Sequence, residues 1–224
     1  MKSILQILFF FLLIFSGIGS VVHAQNSTES FKRYSIDQGL AQSSVYSIMQ
    51  DSKGFLWFGT QSGLSKYDGI KFYNYEYDLA DTNSLSSNWI YALDEDQYGN
   101  IWIGTRSGLN KLNTKLGNVV RFEHSANNPN SLPDPKVYCV HVDAAGLIWF
   151  LSTSKQTTSK LCKLDPKTEK ITCYEFQVDY FSFYESVSGW PMYEDKNGNI
   201  WFGSHDGLRV FNKQDEAFAV FRND

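Results

Sequence analysis

One pattern recurs four times along this chain: Asp-x-x-Gly-x-x-Trp, followed by a short apolar stretch. It reads DSKGFLWFGT from Asp51, DQYGNIWIGT from Asp96, DAAGLIWFLS from Asp143 and DKNGNIWFGS from Asp195. Its tryptophans, Trp57, Trp102, Trp149 and Trp201, are spaced by 45, 47 and 52 residues. A period in this range limits the fold before any local motif does. Each unit is one supersecondary element that hides its apolar face only against the next.

The unit reads as four short strands separated by turn residues. In the first copy these are Val45–Gln50, Phe55–Thr60, Leu64–Tyr67 and Ile70–Tyr77. Asp51-Ser52-Lys53-Gly54 is a turn in which Asp bonds the backbone ahead and Gly takes positive φ, and Asp68-Gly69 is a hairpin signal. The second copy gives Ile90–Glu95, Asn100–Thr105, Leu109–Leu112 and Val119–Glu123. The fourth gives Trp190–Glu194, Asn199–Ser204, Leu208–Phe211 and Ala217–Phe221. Gly63, Gly108 and Gly207 recur six residues after the Trp, and an aromatic recurs five before each Asp, as Tyr46, Tyr91, Tyr138 and Trp190. The third copy has Leu151 in place of a glycine and extra residues within Ser152–Lys160 before Leu164 resumes the pattern.

Four antiparallel strands per unit at this period describe an all-β fold, a β-propeller of four blades. Runs such as Leu56-Trp57-Phe58 lack polar alternation because neighbours cover both blade faces. Each Trp is read as a wedge between blades, its burial contributing at most about 4–6 kcal/mol. The boundaries expected are 25–43 for an N-terminal closing strand, then blades at 44–88, 89–135, 136–186 and 187–224. Ser30–Ile36 resembles the outer strands of the blades, although the fourth blade already has its own outer strand in Ala217–Phe221. The chain is therefore expected to be an open arc of a larger ring of about seven blades. A closed four-bladed ring is the alternative.

Residues 1–24 read as a signal peptide. Lys2 precedes an apolar run from Ile4 to Ile18, and Val22-His23-Ala24 sets cleavage before Gln25. An uncleaved anchor is the rival reading. Either way the chain is exported, to the periplasm. The net charge of −4, with 20 basic residues spread evenly, gives no footprint for nucleic acid. Three cysteines remain in that oxidising compartment. Cys162 and Cys173 flank the turn Asp165–Glu169 almost symmetrically and can face each other as a disulfide, or be small buried hydrophobes like Cys139. No metal site is expected, because no Cys or His pair has ligand spacing, and no cofactor is expected either.

The opening FKRYSIDQGLAQSSVYSIMQD, the DxxGxxWxGTxxGL blocks and the linkers DTNSLSSN and NNPNSLPDP together resemble the two-component regulator propeller family from Phe31 to Asp224. The resemblance implies a periplasmic, ligand-sensing propeller segment of a hybrid two-component sensor, tethered in full-length relatives to the inner membrane. It also implies oligosaccharide detection for polysaccharide use, and a histidine kinase outside this sequence. The expected partners are an oligosaccharide and the rest of the sensor chain, or a second copy in a homodimer. No catalytic or phosphorelay residue carries over to His124, His141 or His205.

Two other readings remain. One is a propeller enzyme, lyase or glycosidase-like: LDPKTEKI from Leu164 resembles streptogramin lyases, and the Asp turn is similar to the sialidase Asp-box with one residue more between Asp and Gly. The other is a secreted propeller that binds a protein partner. The aspartates recur once per blade at the same turn, which marks turn-makers rather than a catalytic pair. Recognition is expected where the copies differ on one rim. Gln61, Arg106 and His205 occupy equivalent loop positions there, and Tyr180 and Tyr184 lie in the enlarged third linker.

Overall fold

The computed structural model describes residues 31–153, 158–177, 191–204 and 207–222. The chain divides into two compact units, Met1–Arg33 and Tyr34–Asp224. Of the first only residues 31–33 are described, and they carry no regular structure. The second is an all-β propeller of four blades, each an antiparallel sheet of four strands in sequential order.

Blade 1 comprises β1 (Val45–Gln50), β2 (Leu56–Thr60), β3 (Gly63–Tyr67) and β4 (Phe72–Tyr75). Blade 2 comprises β5 (Ile90–Glu95), β6 (Asn100–Thr105), β7 (Gly108–Asn113) and β8 (Val119–Phe122). Blade 3 comprises β9 (Val137–Val142), β10 (Ile148–Thr153), β11 (Thr158–Asp165) and β12 (Lys170–Gln177). Blade 4 comprises β13 (Met192–Glu194), β14 (Ile200–Ser204), β15 (Gly207–Asn212) and β16 (Ala217–Phe221). The first strands meet from blade to blade and form the inner edge.

The repeated motif closes the β1–β2 turn of each blade through one carboxylate. Asp96 Oδ1 accepts the backbone N–H groups of Tyr98 and Asn100 at 2.9 and 3.0 Å, while Oδ2 accepts the indole N–H of Trp102 at 3.0 Å. The same indole bond measures 2.8 Å from Trp57 to Asp51, from Trp149 to Asp143 and from Trp201 to Asp195. Gly99 supplies φ 79° at the end of this turn, a conformation in which a Cβ is strained. One side chain thus satisfies turn amides and a tryptophan that would otherwise bury its N–H unpaired.

The cores lie between blades. Trp57 and Leu64 pack with Ile90, Leu93, Ile101 and Ile103 of blade 2. Trp102 and Leu109 pack with Val137, Val140, Ile148 and Phe150 of blade 3, and Trp149 and Leu161 with Ile200, Phe202 and Phe211 of blade 4. Three tryptophans are therefore fully buried against the following blade, whereas Trp201 is half-buried.

Polar stitches reinforce the boundaries. Glu95, one residue before its Asp, accepts Ser52 N–H at 2.6 Å and Ser52 Oγ–H at 2.8 Å across the first. Glu194, at the same position, accepts Ala144 N–H at 2.8 Å across the third. At the second boundary that position is Val142, which has no carboxylate. There Asp94 accepts the Val142 N–H at 2.7 Å and stands 3.3 Å from His141 Nδ1.

In the segment expected to close a sheet, residues 31–35 have no ladder with the described strands, and Ile36–Gln38 form a short 3-10 turn. Backbone groups need a partner strand to make a ladder; here Ser35 and Gln38 cap each other's backbone instead, and Gly39 ends the turn at φ 104°. The Tyr34 ring lies 5.0 Å from that of Tyr67 and 5.8 Å from that of Phe72. In blade 3, Cys162 sits directly opposite Cys173 in the β11–β12 ladder and the two sulfurs are bonded.

Trp102→Ala is expected to lower stability by about 3–5 kcal/mol in urea unfolding, as for other fully buried large side chains. Trp201→Ala should cost clearly less, because its ring already meets water.

Candidate functional site

The inner strands carry a recurring irregularity. In β1, Val45 pairs with Thr60 and Ser47 with Gly59, so Tyr46 is an extra residue. Tyr91 is bulged in the same way in β5, and Tyr138 in β9. A β-bulge redirects its side chain and sharpens the local twist. In blades 1 to 3 the aromatic that recurs five residues before the Asp is thus the bulged residue, at the end of its strand away from the Asp turn. Trp190, its counterpart in the fourth copy, lies outside the described residues.

Trp89 joins these bulges into a row. Its ring stacks on Tyr46 at 6.0 Å and 20°, and lies 6.2 Å from Tyr91, which in turn is 4.9 Å from Tyr138. Tyr91 and Tyr138 are buried, while Tyr46 and Trp89 are half-buried and form the accessible part. The Trp89 indole N–H is buried and has no hydrogen-bond partner among the described residues. Two loop residues border the row. Gln61 bonds the Tyr46 hydroxyl through its amide, and the exposed Arg106 guanidinium lies 5.4 Å from the Trp89 ring centre. The linker is pinned beside them by Gly63 N–H to Asn88 O at 2.7 Å and Arg106 N–H to Trp89 O at 3.1 Å.

Gln61 and Arg106, expected as rim residues, therefore meet on one aromatic surface. His205, Tyr180 and Tyr184 lie outside the described residues. Sequence reasoning passed over Trp89. Its signal was available: the other copies have Ser44, Lys136 and Ser188 at that offset from the Asp.

The opposite end is built differently. A depression of about 220 Å³ lies between blades 2 and 3, lined by residues that include Gln97, Tyr98, Lys111 and Lys167. The motif aspartates here are fully engaged. Burial alone would raise the Asp143 carboxyl, but the Lys213 ammonium at 2.7 Å, the Trp149 indole and the Leu147 amide outweigh it and hold the group low. The Trp201 indole, followed by the Asn199 side chain, lowers Asp195 to about 2. These carboxylates stay ionised and hydrogen-bonded, which suits structure and not proton transfer near neutral pH.

The family model "Two component regulator propeller" matches residues 39–62, 84–107 and 190–206. Three of the four repeats are thus similar to two-component regulator propeller repeats. A curated histidine kinase, P4 of Formosa agariphila, is 43% identical over 77 residues, which is 34% of this chain and 6% of the kinase. The crystal structure of the extracellular domain of a hybrid two-component system from B. thetaiotaomicron matches at TM-score 0.60 and 26% identity. That match covers 84% of this chain and 31% of the solved one. Virginiamycin B lyase from Staphylococcus aureus matches at TM-score 0.53 and 15% identity, over 78% of this chain and 54% of the lyase, a likeness of fold alone. The chain thus spans under a third of the sensor domain it matches and a small part of the kinase.

The low carboxyl groups set a pH dependence. The folded Asp195 value of about 2 lies below the ordinary 3.8, so its stabilisation is complete above about pH 4 and is lost as pH falls toward 2. Asp143 contributes with the same sign. Urea midpoints should be flat from pH 7 to 5 and fall steeply below 4. Asp195→Asn should flatten part of that slope.

Proposed function

We propose that this chain is part of the ligand-sensing propeller of a hybrid two-component sensor, non-catalytic in itself and exported to the periplasm by a signal peptide at residues 1–24. Its ligand is an oligosaccharide. The sensor's kinase lies outside this sequence, and Ser30–Ile36 completes an outer sheet elsewhere in the sensor's propeller.

The observation that carries the reading is the aromatic row with its polar border. Flat aromatic faces suit the C–H face of a sugar ring. Gln61 and Arg106 supply donors for hydroxyl or carboxylate oxygens. A few placed polar groups around an apolar platform are the usual composition of a ligand site. Tyr180 and Tyr184, in the enlarged third linker of the sequence, are proposed as further sugar contacts. The repeats and the similarity to a histidine kinase and to an extracellular sensor domain supply the context of signalling. The enzyme reading loses its recurring carboxylates, which are held in turns and on indoles.

Isothermal titration of the exported chain against size-graded neutral and uronate-containing oligosaccharides tests this. A saturable heat with at least one of them is expected, with Trp89→Ala weakening binding roughly ten- to thirtyfold, as for an aromatic anchor. Arg106→Ala should weaken uronate-containing ligands most, and Tyr180→Ala with Tyr184→Ala should weaken binding as well. Absence of heat across the panel, or an affinity indifferent to Trp89, would sink the proposal.

A further inference from the structure

The linkers that follow blades 1 and 2 close on themselves in the same way. In the first, the Ser84 hydroxyl lies 3.0 Å from Asp78 O and 2.8 Å from Asp81 O, and Ser84 Oγ accepts the Asp78 N–H at 2.8 Å. In the second, the Ser131 hydroxyl lies 3.0 Å from Ser125 O and 2.7 Å from Asn128 O, and Ser131 Oγ accepts the Ser125 N–H at 2.9 Å. Each loop is thus a small cage of backbone carbonyls around one serine.

The first cage is plugged by a guanidinium from the next blade. Arg121 Nε–H donates to Ser84 O at 2.7 Å, while Nη2 reaches Asp81 O at 2.8 Å and Ser84 Oγ at 2.6 Å. The Tyr77 ring lies 5.4 Å from it.

The second cage has no such plug. Arg121 stands across the ladder from Asn110, and the residues at that pair in blade 3 are Cys173 and Cys162, bonded to each other. A neighbouring change agrees with this one. Asn110 accepts the Ser86 N–H at 2.9 Å, whereas Pro133, the counterpart of Ser86, has no N–H to satisfy. Where Arg121 lies at the first linker, an open depression of about 400 Å³ lies at the second. Its lining includes His124, Asn128, Ser131, Pro133, Lys160 and Cys173. Lys160, the cation at its edge, gives its ammonium to Glu175 at 3.0 Å.

We propose that this depression is a guanidinium site, which takes the arginine group of a ligand in the place that Arg121 fills one blade earlier. Ser131 O, Asn128 O and Ser131 Oγ are its acceptors, the counterparts of those that hold Arg121. They suit a planar fork of donors better than the point charge of an ammonium. Ser125 and Asn128 stand where the first linker has Asp78 and Asp81, so the site binds through neutral acceptors and its affinity is modest. The inference does not rest on what the aromatic row binds.

Titration of the isotope-labelled exported chain with L-argininamide, followed by amide chemical shifts, tests it. Saturable shifts are expected across residues 125–132, with a dissociation constant on the order of millimolar, and L-lysinamide should bind roughly tenfold more weakly. A blocked Gly-Arg-Gly peptide separates the sources. Tighter binding than argininamide points to an arginine on a protein partner, and equal binding to a free guanidinium compound. Ser125→Asp with Asn128→Asp, which copies the charges of the first linker, should tighten argininamide roughly three- to tenfold. Cys162→Asn with Cys173→Arg, which copies the blade 2 plug, should abolish binding. Should that variant fail to fold, as judged by circular dichroism, the aspartate pair decides. No saturable shift in the linker, equal binding of lysinamide, or an affinity indifferent to the aspartates would each overturn the proposal.

Discussion

The bond from an aspartate carboxylate to an indole N–H six residues on is the contact on which each blade depends. A tight turn needs its amides satisfied, and a wedge between two apolar faces needs a large ring with no polar group left over. In most proteins these are separate requirements met by separate residues. Here one carboxylate meets both: one oxygen holds the turn and the other takes the indole. The turn therefore cannot shift without pulling the wedge, and the wedge cannot rotate without opening the turn. Turn geometry and inter-blade packing become one constraint.

A second layer of contacts converts adjacency into register. Hydrophobic faces are tolerant of sliding, because dispersion and burial have little direction. The glutamate before the aspartate has direction, since it accepts one backbone N–H of the neighbouring turn. Val142 removes that acceptor at the second boundary, and Asp94 reaches across from the other side. The bond is reversed in sense and kept in place. Lysines opposite the tryptophans add to the same layer: Lys66, Lys111 and Lys163 each lie about 5.5 Å from a ring centre. Blade 4 has Val210 at that position, beside the most accessible of the four tryptophans.

The strand order and most strand limits were legible because the repeat spoke four times, so errors at one copy were corrected by the others. The aspartates were legible as turn-makers but not as indole acceptors. Turn chemistry is local in sequence, whereas the indole N–H reaches Oδ2 only once the strand after the turn has folded back beside it. Ser30–Ile36 has the composition of an outer strand, but a strand exists only with a partner; residues 31–35 pair with no described strand, and Ser35 and Gln38 offer a local alternative. Gln61 and Arg106 stand out where the copies disagree, and the structure brings both against the aromatic row. Trp89 meets the same criterion but is hidden among aromatics that recur, because its position differs from theirs by two residues.

Trp89 shows how such a scaffold can depart from its own repeat. Repetition fixes the bulges: Tyr46, Tyr91 and Tyr138 leave the ladder at equivalent points, so the fold itself delivers an aromatic to the same end of the first strand in blades 1 to 3. Tyr91 and Tyr138 touch each other and are buried, whereas Tyr46 stands apart from them in the absence of a bridging ring. Trp89 fills the space between the first two, and its buried N–H has no partner among the described residues. It sits on the linker that Gly63 and the Arg106 amide hold in place, so the exceptional residue is positioned by contacts that belong to the repeat. Symmetry supplies the platform and its rigidity, and a single departure from symmetry marks the stretch of it where we propose that a ligand is read.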